Sequence, residues 1–211
     1  MRDEDSTIFI IDDDPSARKG LRRLISAAGL KVEAFESARD FLDSGRAEGP
    51  GCIVLDVKMP EMTGPELHDE LRKAKYRMPI IFLSAHADVP TTAQEMKKGA
   101  VNFLTKPVDR DDLLEAINES LQLDQENRLH RDEETAILQG VDTLTPREHE
   151  VMTYVITGML NKQIAAELNI SLITVKIHRG RVMQKLGVVS VAELVRLCEK
   201  AGISPVESCS L

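Results

Sequence analysis

Ile8-Phe9-Ile10-Ile11-Asp12-Asp13-Asp14-Pro15 is the stretch from which the rest of this chain can be read. Four apolar β-formers in a row predict a short strand buried on both faces. Three aspartates stop it, and Pro15 suits the first turn of a helix. Leu21, Leu24, Ile25 and Ala28 follow at helical spacing, and Gly29 marks a helix end. The same alternation recurs four times. Strands are expected at Val32–Phe35, Cys52–Leu55, Ile80–Leu83 and Val101–Thr105. Helices are expected at Ala38–Asp43, Gly64–Lys73, Thr91–Lys98 and Asp109–Leu121. Strands apolar on both faces with helices between them imply an α/β fold, a doubly wound parallel five-stranded sheet covered on both sides.

In such a sheet a ligand binds beyond the carboxyl ends of the strands. The residues there are Asp12 and Asp13, Asp56, Ser84, and Lys106 before Pro107. Three carboxylates at one edge repel one another and call for a cation. All-oxygen ligands suit a hard ion such as Mg²⁺ (or Mn²⁺). A carboxylate beside such an ion can attack a phosphoryl group and form an acyl phosphate. Lys106 can neutralise the transferring group, and the Ser84 hydroxyl can hydrogen-bond a phosphate oxygen. The plainer alternative is that these aspartates only cap helices and turns. Polar residues at four strand ends at once weigh against it.

The segments Ile11-Asp12-Asp13-Asp14, Leu55-Asp56-Val57-Lys58-Met59-Pro60, Ser84-Ala85-His86 and Lys106-Pro107 resemble, in order and spacing, the response-regulator receiver domain. That resemblance covers about residues 6–121 and implies a flavodoxin-like sheet. It implies Asp56 as phosphoacceptor, with Ser84 and Lys106 assisting. It implies Asp13, Asp56 and the Lys58 backbone carbonyl as direct Mg²⁺ ligands, with Asp12 acting through water. Ser84 and Phe103 match the family's switch positions, although Phe103 reads equally well as a core residue. His86 reads as a loop residue. The implied partner is a sensor histidine kinase whose phosphohistidine supplies the phosphoryl group.

Residues 122–140 read as a helical linker running on from the preceding helix. Its heptad positions (Leu114, Leu121, Arg128, Thr135, with Ile117, Asp124, Arg131, Leu138) are polar in the middle. They fit a solvated spacer better than a coiled coil. The remainder is all-α, a four-helix unit. Thr145-Pro146-Arg147-Glu148 opens a helix with a capping box, expected to run to about Gly158. Lys162–Leu168 is a short helix, Asn169-Ile170 a tight turn, and Ser171 caps a helix to Leu186. Val191–Lys200 is the last. Ile164, Ala165, Leu168, Ile170, Val175 and Val182 have the spacing of a shared core.

Leu144-Thr145-Pro146-Arg147-Glu148, Asn161-Lys162-Gln163-Ile164-Ala165 and Thr174-Val175-Lys176-Ile177-His178 resemble the LuxR/NarL-type helix-turn-helix domain. With the receiver, the architecture is similar to the FixJ/StyR branch of response regulators. A recognition helix of this kind lies in the major groove. The resemblance implies Lys176, Ile177 and Arg181 at base edges, and Lys162, Thr174, His178, Arg179 and Lys185 at phosphates. Gly180, inside that helix, costs ~1 kcal/mol relative to Ala. It either admits close approach to DNA or has no role.

Charge divides the chain the same way. Of 27 Lys/Arg and 35 Asp/Glu, eight and seven lie from Val141 onward, leaving 19 and 28 before it. The acidic first part is unsuited to nucleic acid, whereas no acid occurs between Leu168 and Ala192. The three cysteines form no CxxC pair; Cys52 and Cys198 read as buried, Cys209 as a tail thiol. No apolar run reaches membrane length, and the N-terminus is acidic, so a soluble cytoplasmic protein without membrane contact is expected.

The organisation expected is therefore a receiver at 1–121, a linker at 122–140, a helix-turn-helix domain at 141–203 and a tail at 204–211. The function implied is a phosphorylation-dependent, sequence-specific DNA-binding transcription regulator. It forms a homodimer on phosphorylation and binds double-stranded promoter DNA, with RNA polymerase as a further partner. It is not an enzyme beyond its own phosphoryl transfer and slow autodephosphorylation. An aspartyl-phosphate phosphatase usually has an acid two residues after the nucleophile, where this chain has Lys58. A DNA-binding protein whose receiver serves only as a dimerisation module is opposed by the complete acidic set, and a nucleotide-binding enzyme by the lack of any glycine-rich phosphate loop.

Overall fold

The computed structural model describes residues 6–45, 49–85 and 89–206. The N-terminal pentapeptide, His86, Cys209 and the end of the tail lie outside them. The chain divides into two compact units, one ending at Arg128 and the other beginning at Leu129.

In the first unit the strands are β1 (Thr7–Ile11), β2 (Lys31–Phe35), β3 (Gly51–Asp56), β4 (Ile80–Ser84) and β5 (Asn102–Thr105). They form one parallel sheet in the order β2-β1-β3-β4-β5. The helices are α1 (Pro15–Ala27), α2 (Ala38–Asp43), α3 (Gly64–Lys73), α4 (Val89–Lys97) and the start of α5 (Arg110–Asp142). The central strands β1, β3 and β4 are buried along their whole length, while β2 and β5, at the edges, are partly exposed. Alternate residues face opposite ways along each strand. Phe9, Ile11, Ile53, Leu55 and Phe82 therefore pack with Phe41 and Leu67 on one side. Ile8, Ile10, Val54, Ile81 and Leu83 pack with Leu21, Ile25, Leu113 and Ile117 on the other. That two-sided burial is why these strands read as unbroken apolar runs.

Parallel register fixes what comes next. Ile11 pairs with Leu55, Asp56 with Leu83, and Ser84 with Thr105. The residues that end β1, β3, β4 and β5 thus arrive at one edge of the sheet.

The chain passes from one unit to the other within α5. Asp124 and Arg128, on the polar heptad positions, are not solvated spacer residues. Asp124 is buried and accepts the Gly51 N–H at 3.0 Å and the Arg128 Nε–H at 2.7 Å. Arg128 also donates to the Gly49 carbonyl. Both positions are committed within the first unit, at the start of β3.

The second unit contains α6 (Pro146–Val155), α7 (Asn161–Glu167), α8 (Leu172–Lys185) and α9 (Val191–Lys200). Ile164, Val175 and Val182 are fully buried, with Ala165, Leu168 and Ile170 packed on them alongside Val151, Met152, Leu194 and Cys198. Thr145 caps α6 in a complete capping box with Glu148, and Ser171 caps α8 through the Thr174 N–H at 3.0 Å. The helix expected to reach Gly158 ends at Val155, and Gly158 follows with φ 84°. Asn169 makes the tight turn between α7 and α8 at φ 52°, a conformation that Asn tolerates better than most residues.

Candidate functional site

Asp56 ends β3, and only 6 % of it is exposed. Its Oδ2 accepts the Lys58 backbone N–H at 2.8 Å, and its Oδ1 accepts from the Lys106 ammonium. The same ammonium donates to Asp12 Oδ2 at 2.7 Å. Asp12 is buried, and its Oδ1 accepts the Asp14 N–H at 2.9 Å. One lysine thus bridges two acids from neighbouring strands, delivered by β5 two strands away. The loop after β3 folds tightly against this edge. The Gly64 N–H donates to the Val57 carbonyl at 3.1 Å. A Cβ on Gly64 would lie 2.3 Å from the Asp56 carbonyl oxygen, so no larger residue fits there.

One lysine does not balance the pocket. Burial pushes the Asp56 carboxyl above the usual carboxylate range; Lys106 draws it back only in part, and Asp12 adds to the upward push. Burial pulls the Lys106 ammonium down, but its hydrogen bonds to Asp12 and Asp56 hold it above its ordinary value.

Of the three consecutive aspartates, Asp14 takes the capping role, with Oδ1 on the Ser16 N–H at 2.8 Å. Asp13 is exposed beside the pocket, as is Lys58. Asp12, Asp13, Asp56 and the Lys58 carbonyl offer only oxygen, which suits a hard divalent ion. Among the described residues, no three His, Cys, Asp or Glu side chains converge on one point. A cation held by all three aspartates would require Asp13 to turn inward. Ser84 is buried at the end of β4. Phe103 is half-buried, its ring 6.0 Å from that of Phe82.

In the second unit, Lys176, Ile177 and Arg181 are exposed on α8 and Lys162 is exposed on α7. Among the described residues, Lys162, Lys176 and Arg181 make no ion pair. The other candidates are partly committed. Arg179 donates to Asn161 Oδ1 at 2.8 Å, tying α8 to the start of α7. Thr174 Oγ1 is 2.8 Å from Ser171 Oγ. Among the described residues, His178 Nδ1 is buried without a hydrogen-bond partner. Lys185 donates to Glu148 at 2.7 Å and to the Thr143 carbonyl at 2.8 Å, inside its own unit.

Sequence patterns missed three polar pairings with a buried acid: Asp124 with Arg128, Glu148 with Lys185, and Glu95 on α4 with His68 on α3. In the last, Nδ1 and Oε2 lie 2.7 Å apart with both side chains buried; Lys98 stands 3.1 Å from the same carboxylate.

A doubly wound sheet with an acidic, lysine-bridged edge, followed by a helix-turn-helix whose outer face carries unpaired cations, defines a two-unit transcription regulator. Residues 8–118 match the response regulator receiver domain, and residues 142–198 match the bacterial regulatory proteins of the luxR family. Nodulation protein W of Bradyrhizobium diazoefficiens is 42 % identical over 197 residues, covering 93 % of this chain and 87 % of that protein. The response regulator protein TodT of Pseudomonas putida is 40 % identical over 200 residues, covering 95 % and 88 %. Among solved structures, that of the response regulator StyR superposes with a TM-score of 0.80 at 47 % identity, covering 93 % of this chain and 99 % of that one. The chain belongs to the two-component response regulators that carry a LuxR-type DNA-binding domain. Among the described residues, no helix is long and apolar enough to cross a membrane.

Proposed function

We propose that Asp56 accepts a phosphoryl group from the phosphohistidine of a sensor histidine kinase, and that its phosphorylation controls DNA binding by α8. The observation that carries this reading is the Lys106 ammonium held between the buried carboxylates of Asp12 and Asp56. A carboxylate oxygen of Asp56 attacks phosphorus; a P–O bond forms, the P–N bond breaks, and the imidazole leaves with the bonding pair. Lys106 holds positive charge beside the carboxylate that becomes the acyl phosphate, a mixed anhydride, and the Ser84 hydroxyl donates to a phosphoryl oxygen. Asp13, Asp56 and the Lys58 carbonyl, with Asp12 through water, would hold Mg²⁺ or Mn²⁺, which supplies charge neutralisation. Slow hydrolysis of the acyl phosphate is the only other chemistry, and the protein acts in the cytoplasm.

Phosphorylation draws Ser84 inward, with Phe103 following, and the surface from about residue 89 to 105 rearranges and pairs with a second copy. Two recognition helices then meet two half-sites of a promoter, and bivalency raises affinity by local concentration. RNA polymerase is the downstream partner. We assign residues 1–121 to the receiver, 122–140 to a linker whose first part, as far as Arg128, packs within the first unit, and 141–203 to the DNA-binding domain.

The test is Asp56→Asn. Treated with acetyl phosphate and Mg²⁺, the natural chain gains one phosphoryl group by intact mass and dimerises in sedimentation, and the variant does neither. A variant that still dimerises under this treatment removes Asp56 from control.

A further inference from the structure

Gly180 has no explanation within its own unit. It lies inside α8, not at an end, and a Cβ built on it meets nothing within 4 Å outside the helix backbone. Its φ is not among the positive ones. An exposed helix position with free space ordinarily favours Ala, because Gly loses more backbone freedom on folding. Gly20 in α1 shares the empty Cβ direction, so that feature by itself identifies no ligand. The neighbours of Gly180 do. Ile173, Lys176, Ile177, Gly180, Arg181 and Gln184 recur at steps of three and four residues, and all are exposed. At ~100° per residue they form one stripe about 140° wide, facing away from buried Val175 and Val182.

The stripe is unusual in composition. Ile173 is 70 % exposed and Ile177 49 %, one helical turn apart, and they stand between two cations without ion pairs. Large exposed apolar groups beside free cations suit a surface that is both charged and methyl-bearing. The major groove is such a surface: phosphates line it, and each thymine presents a C5-methyl group there.

We infer that this stripe is the face read against duplex DNA, with Gly180 as its point of closest approach and Ile173 and Ile177 packed on thymine methyl groups. The inference rests on α8 being the DNA-reading helix and adds what it reads.

The experiment uses the full chain treated with acetyl phosphate and Mg²⁺. The natural protein first selects a duplex from a random-sequence pool, and binding to that duplex is followed by anisotropy. Gly180→Ala is expected to raise the melting temperature by ~2–4 °C and to weaken binding by about 10-fold or more. Unchanged affinity, or a lower melting temperature, would overturn the close-approach role. In parallel, each thymine of the selected duplex is replaced by deoxyuridine, which removes only the methyl group. At one or more positions the natural chain should lose about 3–10-fold, while the I173A/I177A double variant binds both duplexes alike. A natural chain indifferent to every such replacement overturns the methyl assignment. If it selects no duplex at all, the DNA-reading role of α8 falls first, before either variant is compared.

Discussion

At the scale of single residues, position along a strand reveals more than residue type does. Asp12, Asp56, Ser84 and Lys106 were legible because each directly ends or follows an apolar run, and parallel register carries such positions to one edge. Their bonding was not legible. Nothing in the sequence says that Lys106 bridges Asp12 and Asp56, or that Asp14 caps α1 while Asp13 stays exposed. The carboxylates of Asp12 and Asp56 share one ammonium, that of Lys106, and burial holds the Asp56 carboxyl above the usual carboxylate range. A divalent ion at this edge should therefore bind the native state selectively. Mg²⁺ at ten times its dissociation constant is expected to stabilise the chain by about 1.4 kcal/mol, read as a rise in the urea midpoint. Asp13→Asn removes a charged oxygen ligand that, among the described residues, makes no hydrogen bond or ion pair in the pocket. It should leave the metal-free midpoint nearly unchanged and abolish most of the Mg²⁺ response. An equal response in the variant would exclude Asp13 as a ligand.

At the scale of elements, the sequence shows whatever is local. Strands buried on both faces read as apolar runs, and Thr145 with Glu148 three residues on reads as a helix start. What is missed joins distant elements through polar groups. His68 and Glu95 lie 27 positions apart, and Lys185 and Glu148 37 apart. Lys185 looks like every other cation on α8, and only the fold shows that its charge is already paired with the cap of α6. This pairing has a pH signature. The Lys185 ammonium, then the Thr145 N–H, holds the Glu148 carboxyl down to about 2, against 4.5 for the free group. A depressed acid contributes stability above its unfolded value and loses it as pH falls through its folded value. Glu148→Gln should therefore melt a few degrees below the natural chain at pH 7. The gap should close between pH 4.5 and about 2, as the natural glutamate takes up its proton. Thr145→Ala, which removes the cap itself, should cost about 1 kcal/mol. Circular dichroism melts across this range check both, and a Glu148→Gln gap that persists at pH 2 would show that the ion pair is not its source.

At the scale of the whole molecule, the partition of charge links regulation to salt. The residues before Val141 are strongly acidic, and those after it carry slightly more base than acid, so affinity for DNA is expected to depend on a few cations on α7 and α8. Each phosphate contact displaces condensed counterions, and the logarithm of the binding constant falls with the logarithm of salt by about 0.9 per contact. If phosphorylation of Asp56 acts by bringing two copies onto two half-sites, the number of contacts doubles while each contact stays the same. The slope for the phosphorylated chain on a duplex with both half-sites should then be about twice that of the unphosphorylated chain. If phosphorylation instead unmasks a single helix, affinity rises with the slope unchanged. The two lysines with different surroundings sharpen the test. Lys162 is exposed and, among the described residues, makes no ion pair, and Lys162→Ala should lower the slope by about one per bound copy and weaken all sequences alike. Lys185 already holds Glu148, and Lys185→Ala should leave the slope unchanged while lowering the melting temperature. Binding titrations between 50 and 200 mM salt, roughly the range over which counterion release is strongest, measure all of these slopes. A slope that is equal before and after phosphorylation would place control in the exposure of α8 rather than in the pairing of two copies.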